Sequence, residues 1–469
     1  MLKSARFRSF LCSVVVLIGL VEFLHGRFHF LVYFGGAVAL LTFLATLPFT
    51  AIYTRLIAFS LCFAGMAALI TSWMLNPDVI IEGFKEMTPL IALIAAVSLL
   101  GIPLGLGEYA ELFQGFYSRA RHLYQTYIVS LIISYSLALL ATLGSVTSSY
   151  YLVNENLNKI GLERNGRFDT TSVIRGFAMA MLVSPAASTV GIALQYSGLS
   201  WLDLAAPVFA LSTAGLAAAF LFEPSWRSKA SIRSFKLSEE IDVLNSQGSG
   251  QPLAGFSLER YAPFMIIFFV IISSIFFLGN VLHFPSMNSI SIACLLAILA
   301  WGIYCRRLPE VLNRSANFFK QDILRISDQI ILFLSAGFFT HSMESSGYLT
   351  LVGDFIAGIS GKIGMAAILC LVPVVILALA FIGLHPLASS IIIGKTLFVS
   401  ALNFNPLGLA AALLSGGVMS YMVSPFAATI LLVSTISGNS PYRVGVRWNL
   451  GFVAIFWGIA AVFIRVVSY

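Results

Sequence analysis

RGFAMAMLVSPAASTVGIALQYSGLS, residues Arg175 to Ser200, returns in altered form as SGGVMSYMVSPFAATILLVSTISGNS from Ser415 to Ser440. Ten of the 26 aligned positions are identical, among them Ser184/Ser424, Pro185/Pro425, Thr189/Thr429 and Gly198/Gly438, at a constant spacing of 240 residues (424 − 184). Unrelated stretches of this apolar composition share roughly two or three positions, so the two copies descend from an internal duplication. Each carries Ser-Pro followed by Thr. Proline lacks the backbone donor and disfavours helix at the residue before it, so the pattern predicts two helices that each break at Ser-Pro.

The surroundings of the repeat are those of a membrane. Hydrophobic residues make up 59% and charged residues 10% of the 469 positions, and the mean hydropathy is +0.93. This composition excludes a soluble domain. The net charge of +7 does not indicate nucleic-acid binding, because Lys and Arg fall mostly in short loops, where they set orientation in the bilayer. The five cysteines are scattered, without a paired ligand spacing, and read as small core residues. Residues 1–27 have the basic flank and apolar run of a signal peptide but no small-residue cleavage site, and are expected to form an uncleaved first span.

Apolar windows follow near 10–24, 29–46, 52–74 and 88–105, each able to cross about 30 Å of hydrocarbon. The loop NPDVIIEGFKEM between the last two is acidic. With Lys3, Arg6 and Arg8 inside, it falls outside. Residues 108–125 alternate at helical spacing and predict an amphipathic arm. A stretch from 127 to 143 then runs into Gly144–Ser149 and leaves through a polar segment, which predicts a re-entrant hairpin. The first broken helix and a span at 204–222 close residues 28–222 as a first repeat, and 223–260 reads as a cytoplasmic linker. Residues 261–469 repeat the order: spans at 262–282, 287–304 and 324–343, an amphipathic stretch at 349–364, a hairpin tip at Gly383–Ser390, the second broken helix and a span at 449–466.

Five crossings per repeat invert the second repeat relative to the first. The fold class expected is therefore an all-α polytopic membrane protein of about 11 transmembrane spans, in two inverted-topology repeats with two re-entrant hairpins and two broken helices. The N-terminus is expected in the cytoplasm and the protein in a bacterial inner membrane.

This layout resembles the ion transporter superfamily, and within it is similar to that of the divalent anion:sodium symporters. Those symporters carry Ser-Asn-Thr at the hairpin tips, where this chain has Thr147-Ser148-Ser149 and Ala388-Ser389-Ser390. The resemblance implies that tips and breaks together hold a small anionic substrate and a sodium ion. It also implies elevator movement against a scaffold and assembly as a homodimer within membrane lipid.

Physical chemistry points to the same residues. Half-helix N-termini and hydroxyls supply donors for an anion, and freed carbonyls can hold sodium. The candidate substrate and ion site comprises Ser184, Pro185, Ser188 and Thr189 in the first break, and Ser424, Pro425 and Thr429 in the second. At the tips it includes Thr147, Ser148 and Ser149, then His385, Ser389 and Ser390. Small residues also serve close helix packing in lipid, and the His385 imidazole can simply hydrogen-bond its turn. Lys395, roughly 15 Å along a helix from His385, is expected at the outer interface, and Arg175 at the cytoplasmic face. Asp328 is expected to pair with Arg325 one turn away.

The leading expectation is a secondary active transporter of an organic anion, a carboxylate, coupled to sodium or protons. A cation/proton antiporter is the rival within transport, weakened by the scarcity of carboxylates in the expected core. A lipid-linked anion is a further substrate class. An intramembrane enzyme using His385 and a serine is the rival of another kind, and two opposed copies of one motif argue against it. No Walker, Rossmann or GxSxG motif occurs, and neither a cofactor nor a metal beyond sodium is expected.

Overall fold

Proline and glycine punctuate described residues that are otherwise almost continuously helical. The computed structural model describes residues 4–22, 30–106, 116–117, 122–142, 144–159, 166–223, 258–400 and 402–468. Most of the predicted amphipathic arm, and the linker from 224 to 257, lie outside them.

The helices up to the first duplicated segment are α1 (Ala5–Leu20), α2 (Phe30–Thr46), α3 (Ile52–Thr71), α4 (Pro77–Lys85), α5 (Thr88–Leu99) and α6 (Gly101–Leu106). That segment consists of α7 (Leu123–Ala141), α8 (Gly144–Lys159), α9 (Gly166–Ala180), α10 (Ser188–Ser197) and α11 (Trp201–Leu221). Next come α12 (Leu258–Phe276), α13 (Ser286–Tyr304), α14 (Leu308–Lys320), α15 (Ser327–Ser345) and α16 (Tyr348–Ile363). The second duplicated segment is α17 (Met365–Phe381), α18 (Pro386–Val399), α19 (Pro406–Val423), α20 (Ala428–Ser437) and α21 (Trp448–Val467). Among the described residues, eight helices or helix runs are long and apolar enough to cross a membrane, and four more apolar helices are shorter. The protein is thus an all-α polytopic membrane protein. The predicted Ser-Pro breaks fall between α9 and α10 and between α19 and α20, the second of them inside the apolar run Pro406–Ser437.

Helix contacts fall into two groups. In the first, α1 packs on α2 and α5, α2 on α4, α3 and α4 on α15, and α13 on α5 and α12. In the second, α7 packs on α8 and α9, α17 on α18 and α19, and α21 on α11 and α19. Within the second group the duplicated parts cross over: α10 packs on α18 and α19, while α20 packs on α8 and α9. The most extensive contacts between the groups run from α10 to α5 and α13, and from α18 to α15.

Two glycines at equivalent positions permit two of the close contacts. A Cβ on Gly176 would lie 2.6 Å from the Leu131 carbonyl oxygen, so α9 can approach α7 only without one. Gly416, its duplicate, lies in the same relation to α17, where a Cβ would meet Ile376 at 2.6 Å and the Pro373 backbone at 3.1 Å. Small residues drive close approach in lipid, where exclusion from water contributes little between helices.

Three expectations are corrected. The acidic outer loop is instead helix α4, started by Asn76 accepting from the Asp78 N–H with Pro77 in its first turn. Residues expected to leave the first hairpin as a polar loop form the second half of α8, through Lys159. The stretch between the spans expected at 287–304 and 324–343 is not a plain connection but the amphipathic helix α14, whose hydrophobic face buries Val311.

Candidate functional site

The two breaks share one geometry. Ser184 Oγ donates to the Leu139 carbonyl oxygen at 2.6 Å, and Ser424 Oγ donates to that of Ala380 at 2.8 Å. Each serine thereby joins its break to the end of the helix that opens the preceding helix–turn–helix, α7 or α17. The same hydroxyls accept from the N–H two residues on, Ala186 at 3.2 Å and Phe426 at 3.3 Å. Thr189 and Thr429 then reach back eight residues, donating to the Met181 oxygen at 3.1 Å and the Tyr421 oxygen at 2.6 Å. These carbonyls lie at the broken ends of α9 and α19, where the helical ladder leaves acceptors without partners. Gly198 and Gly438 end α10 and α20, both with φ of +71°.

The four hydroxyls are therefore bound to backbone, and all four residues are buried. Pro185 is buried, while Ser188 and Pro425 are half-buried. The N-cap positions of α10 and α20 are Ala187 and Ala427, which offer no side-chain cap to the helix N-termini.

The tip residues sit differently from the expectation. The turns themselves fall at Thr142, with φ of +42°, and at Gly383, with φ of +101°. Thr147, Ser148 and Ser149 belong to the first turns of α8; Ser148 is exposed, Thr147 half-buried and Ser149 buried. Ser389 and Ser390 belong to α18 and donate to the His385 and Pro386 carbonyls at 3.4 and 3.0 Å. His385 is the N-cap of α18. Its Nδ1 accepts from the Leu387 N–H at 3.2 Å, which leaves the proton on Nε2. Its ring meets that of Phe333 edge-on, with centroids 6.4 Å apart.

A second cluster went unrecognised in the sequence. A cavity of about 660 Å³ opens between the two helix groups, walled by α4, α5, α13 and α15 on one side and by α10 and α18 on the other. Across it Lys395 of α18 bridges two carboxylates of the opposite group, Glu86 at 2.9 Å and Glu344 at 2.7 Å. His341 lies 3.7 Å from both Glu82 and Glu86, and Lys85 pairs with Glu22 at 3.0 Å. Lys395 is thus an inter-group bridge, with only 13% of its side chain exposed. The local signal for this cluster was Glu82 and Glu86 at i and i+4 beside Lys85, which is the spacing of one helix face.

Arg175 also departs from its expected place at the cytoplasmic surface. It is 1% exposed, pairs with Glu223 at 2.8 Å and donates to Asn449 Oδ1 at 3.0 Å and the Trp448 carbonyl at 3.0 Å. Arg167 holds the other Glu223 oxygen at 2.8 Å. Asp169 and Glu223 are both fully buried, so carboxylates are not scarce in the core. Asp328 does not pair with Arg325, which binds Asp322 at 2.9 Å; it accepts instead from the Ala51 N–H at 3.1 Å.

Neither a protein-family model nor a curated protein sequence matches the chain. Solved structures do. The YdaH transporter of Alcanivorax borkumensis superposes with a TM-score of 0.62 at 12% identity, over 87% of this chain and 98% of that one. The fold is that of a polytopic membrane transporter. MtrF of Neisseria gonorrhoeae, which represents a class of antimetabolite efflux pumps, matches with a TM-score of 0.50 at 14% identity, over 87% of this chain and 94% of that one. Both of these structures are of transporters, and among the described residues no cluster of three or more His, Cys, Asp or Glu side chains could hold a metal.

Proposed function

We propose that this protein is an elevator-type secondary active transporter that moves a small organic anion, a carboxylate, coupled to sodium or protons. The observation that carries this reading is the duplicated break, each copy tied by its serine to its own helix–turn–helix and packed across the other copy. In this reading the two repeats are inverted, the α7–α8 and α17–α18 units are re-entrant, and the second helix group slides as one body against the first. The anion lies where the uncapped N-termini of α10 and α20 approach the starts of α8 and α18. Helix N-termini provide backbone donors and a favourable dipole there without a buried cationic side chain. The His385 Nε2–H adds a donor. Residues 1–27 precede the repeats, the linker is cytoplasmic, and the working unit is a homodimer in a bacterial inner membrane with its N-terminus inside.

Cation/proton exchange is a second reading, favoured by the acidic side chains that line the inter-group cavity. Proteoliposome uptake separates the two. Labelled carboxylates entering only under an inward sodium or proton gradient support anion transport. Sodium or proton flux without any carboxylate movement overturns it in favour of exchange, and flux of lipid-linked anions alone would replace the substrate class while retaining the mechanism.

A further inference from the structure

Glu86 is placed at the junction of α4 and α5 with its two oxygens in different situations. Oε1 accepts from Lys395, whereas Oε2 is shielded from solvent and has no hydrogen-bond partner among the described residues, His341 Nδ1 being 3.7 Å away. Two further oxygens on α10, across the group boundary, share this condition. Gln195, which lines the same cavity, has a buried Oε1 without a partner. Tyr196 is 3% exposed, its hydroxyl is likewise unpartnered, and the charges of Glu86 and Glu344 both act on it. Its ring lies against α18 beside Lys395, where a Cβ on Gly394 would come within 2.4 Å of it.

Charge points the same way. Among the described residues, with Glu22 matched to Lys85, the carboxylates of Glu82, Glu86 and Glu344 face one ammonium, that of Lys395, and a histidine. A surplus of negative charge in a partly dehydrated cleft, together with buried oxygen acceptors, favours a cation.

We propose that this cavity binds the coupling cation, a monovalent ion taken up at Glu86 beside Gln195 and Tyr196, and that Lys395 competes with it for Glu86 and Glu344. The inference rests on the transporter reading. Lys395 is the internal counter-ion carried on α18. When the second helix group moves, the ammonium withdraws and the two carboxylates take a cation from solution instead, so that ion binding and helix position are linked. Sodium and a proton satisfy the same chemistry.

Full-length protein in lipid nanodiscs provides the test. Thermal melts are recorded against sodium replaced by choline at constant ionic strength, and separately against falling pH at fixed salt. The arm in which the wild-type protein responds identifies the ion. Glu86→Gln should weaken the half-saturating concentration by at least about tenfold, and Lys395→Gln should tighten it, because the competitor is gone. The opposite signs distinguish competition from simple loss of a structural bridge. Glu344→Gln serves as the second carboxylate variant if Glu86→Gln does not fold. No response of the wild-type protein to either ion, an unchanged midpoint in both carboxylate variants, or a weakened one in Lys395→Gln overturns the proposal. Failure of the transport reading looks different: cation midpoints move as expected while no organic anion crosses a proteoliposome membrane.

Discussion

Ser424 and Ala380 are joined by a 2.8 Å hydrogen bond from side-chain hydroxyl to main-chain carbonyl, and Ser184 and Leu139 repeat it at 2.6 Å in the other half of the chain. The bond ties a broken helix to the end of a neighbouring helix; the Ala380 carbonyl also accepts from the Gly383 N–H at 3.3 Å.

Removing that hydroxyl takes away a hydrogen bond made by a buried side chain. Ser184→Ala and Ser424→Ala are each expected to lose about 1–2 kcal/mol of stability, read as a lowered melting temperature. The corresponding threonine variants, which keep the hydroxyl, should lose less. Equal losses for alanine and threonine would remove the hydrogen bond from the account.

The glycine pair gives a steric counterpart. Gly176→Ala and Gly416→Ala place a Cβ against Leu131 and Pro373 backbone atoms, and helix separation is expected to cost about 1–3 kcal/mol in each. Gly358→Ala, on α16 with nothing within 4 Å of the new Cβ, should be neutral or stabilising by up to about 1 kcal/mol through helix propensity. Melting temperatures of the three variants check the contrast.

Breaks, spans and the helix–turn–helix units were legible because they are written locally. Proline at 185 and 425 and twenty-residue apolar runs act within one element, and duplication makes weak signals visible twice. The charged cavity was not legible, since Lys395 meets Glu86 across 309 residues of sequence. Read alone, Lys395 is a lysine near a helix end and Glu86 an acid between two apolar windows. Nothing in either neighbourhood specifies the other. α4 was misread for a different reason: its charged residues lower the hydropathy of a helix whose start is nevertheless marked by Asn76-Pro77. The two serines stand out as a pair because the repeat shows them twice, but their hydrogen bonds run to main chain, a partnership that side-chain chemistry alone does not reveal.

Arg175 and Glu223 test how the duplicated bundle holds its buried charge. Removing one member leaves the other without full compensation, so Arg175→Met is expected to destabilise by about 3–5 kcal/mol. Arg167 still pairs with Glu223 and keeps the loss towards the lower end. The double variant Arg175→Met with Glu223→Gln should recover part of the deficit, because the buried negative charge that Arg175 offset is gone. A double-mutant cycle on melting free energies measures this, and strictly additive losses would show that the two side chains act separately.

His385 separates the structural role from the chemical one. As N-cap of α18 it accepts from the Leu387 N–H through Nδ1, and Asn is among the best replacements for that function, whereas Ala costs about 1 kcal/mol. His385→Asn should therefore melt close to the wild-type protein, and His385→Ala below it. Transport distinguishes what Nε2–H does. If that donor contacts the anion, His385→Asn keeps its fold but shows a raised KM for carboxylate uptake, with maximal exchange largely retained. If the imidazole only caps the helix, uptake by His385→Asn matches the wild-type rate and His385→Ala loses activity in step with its stability. An intramembrane enzyme would instead lose turnover entirely in both variants, whatever their melting temperatures, because a cap cannot replace a proton-transferring imidazole.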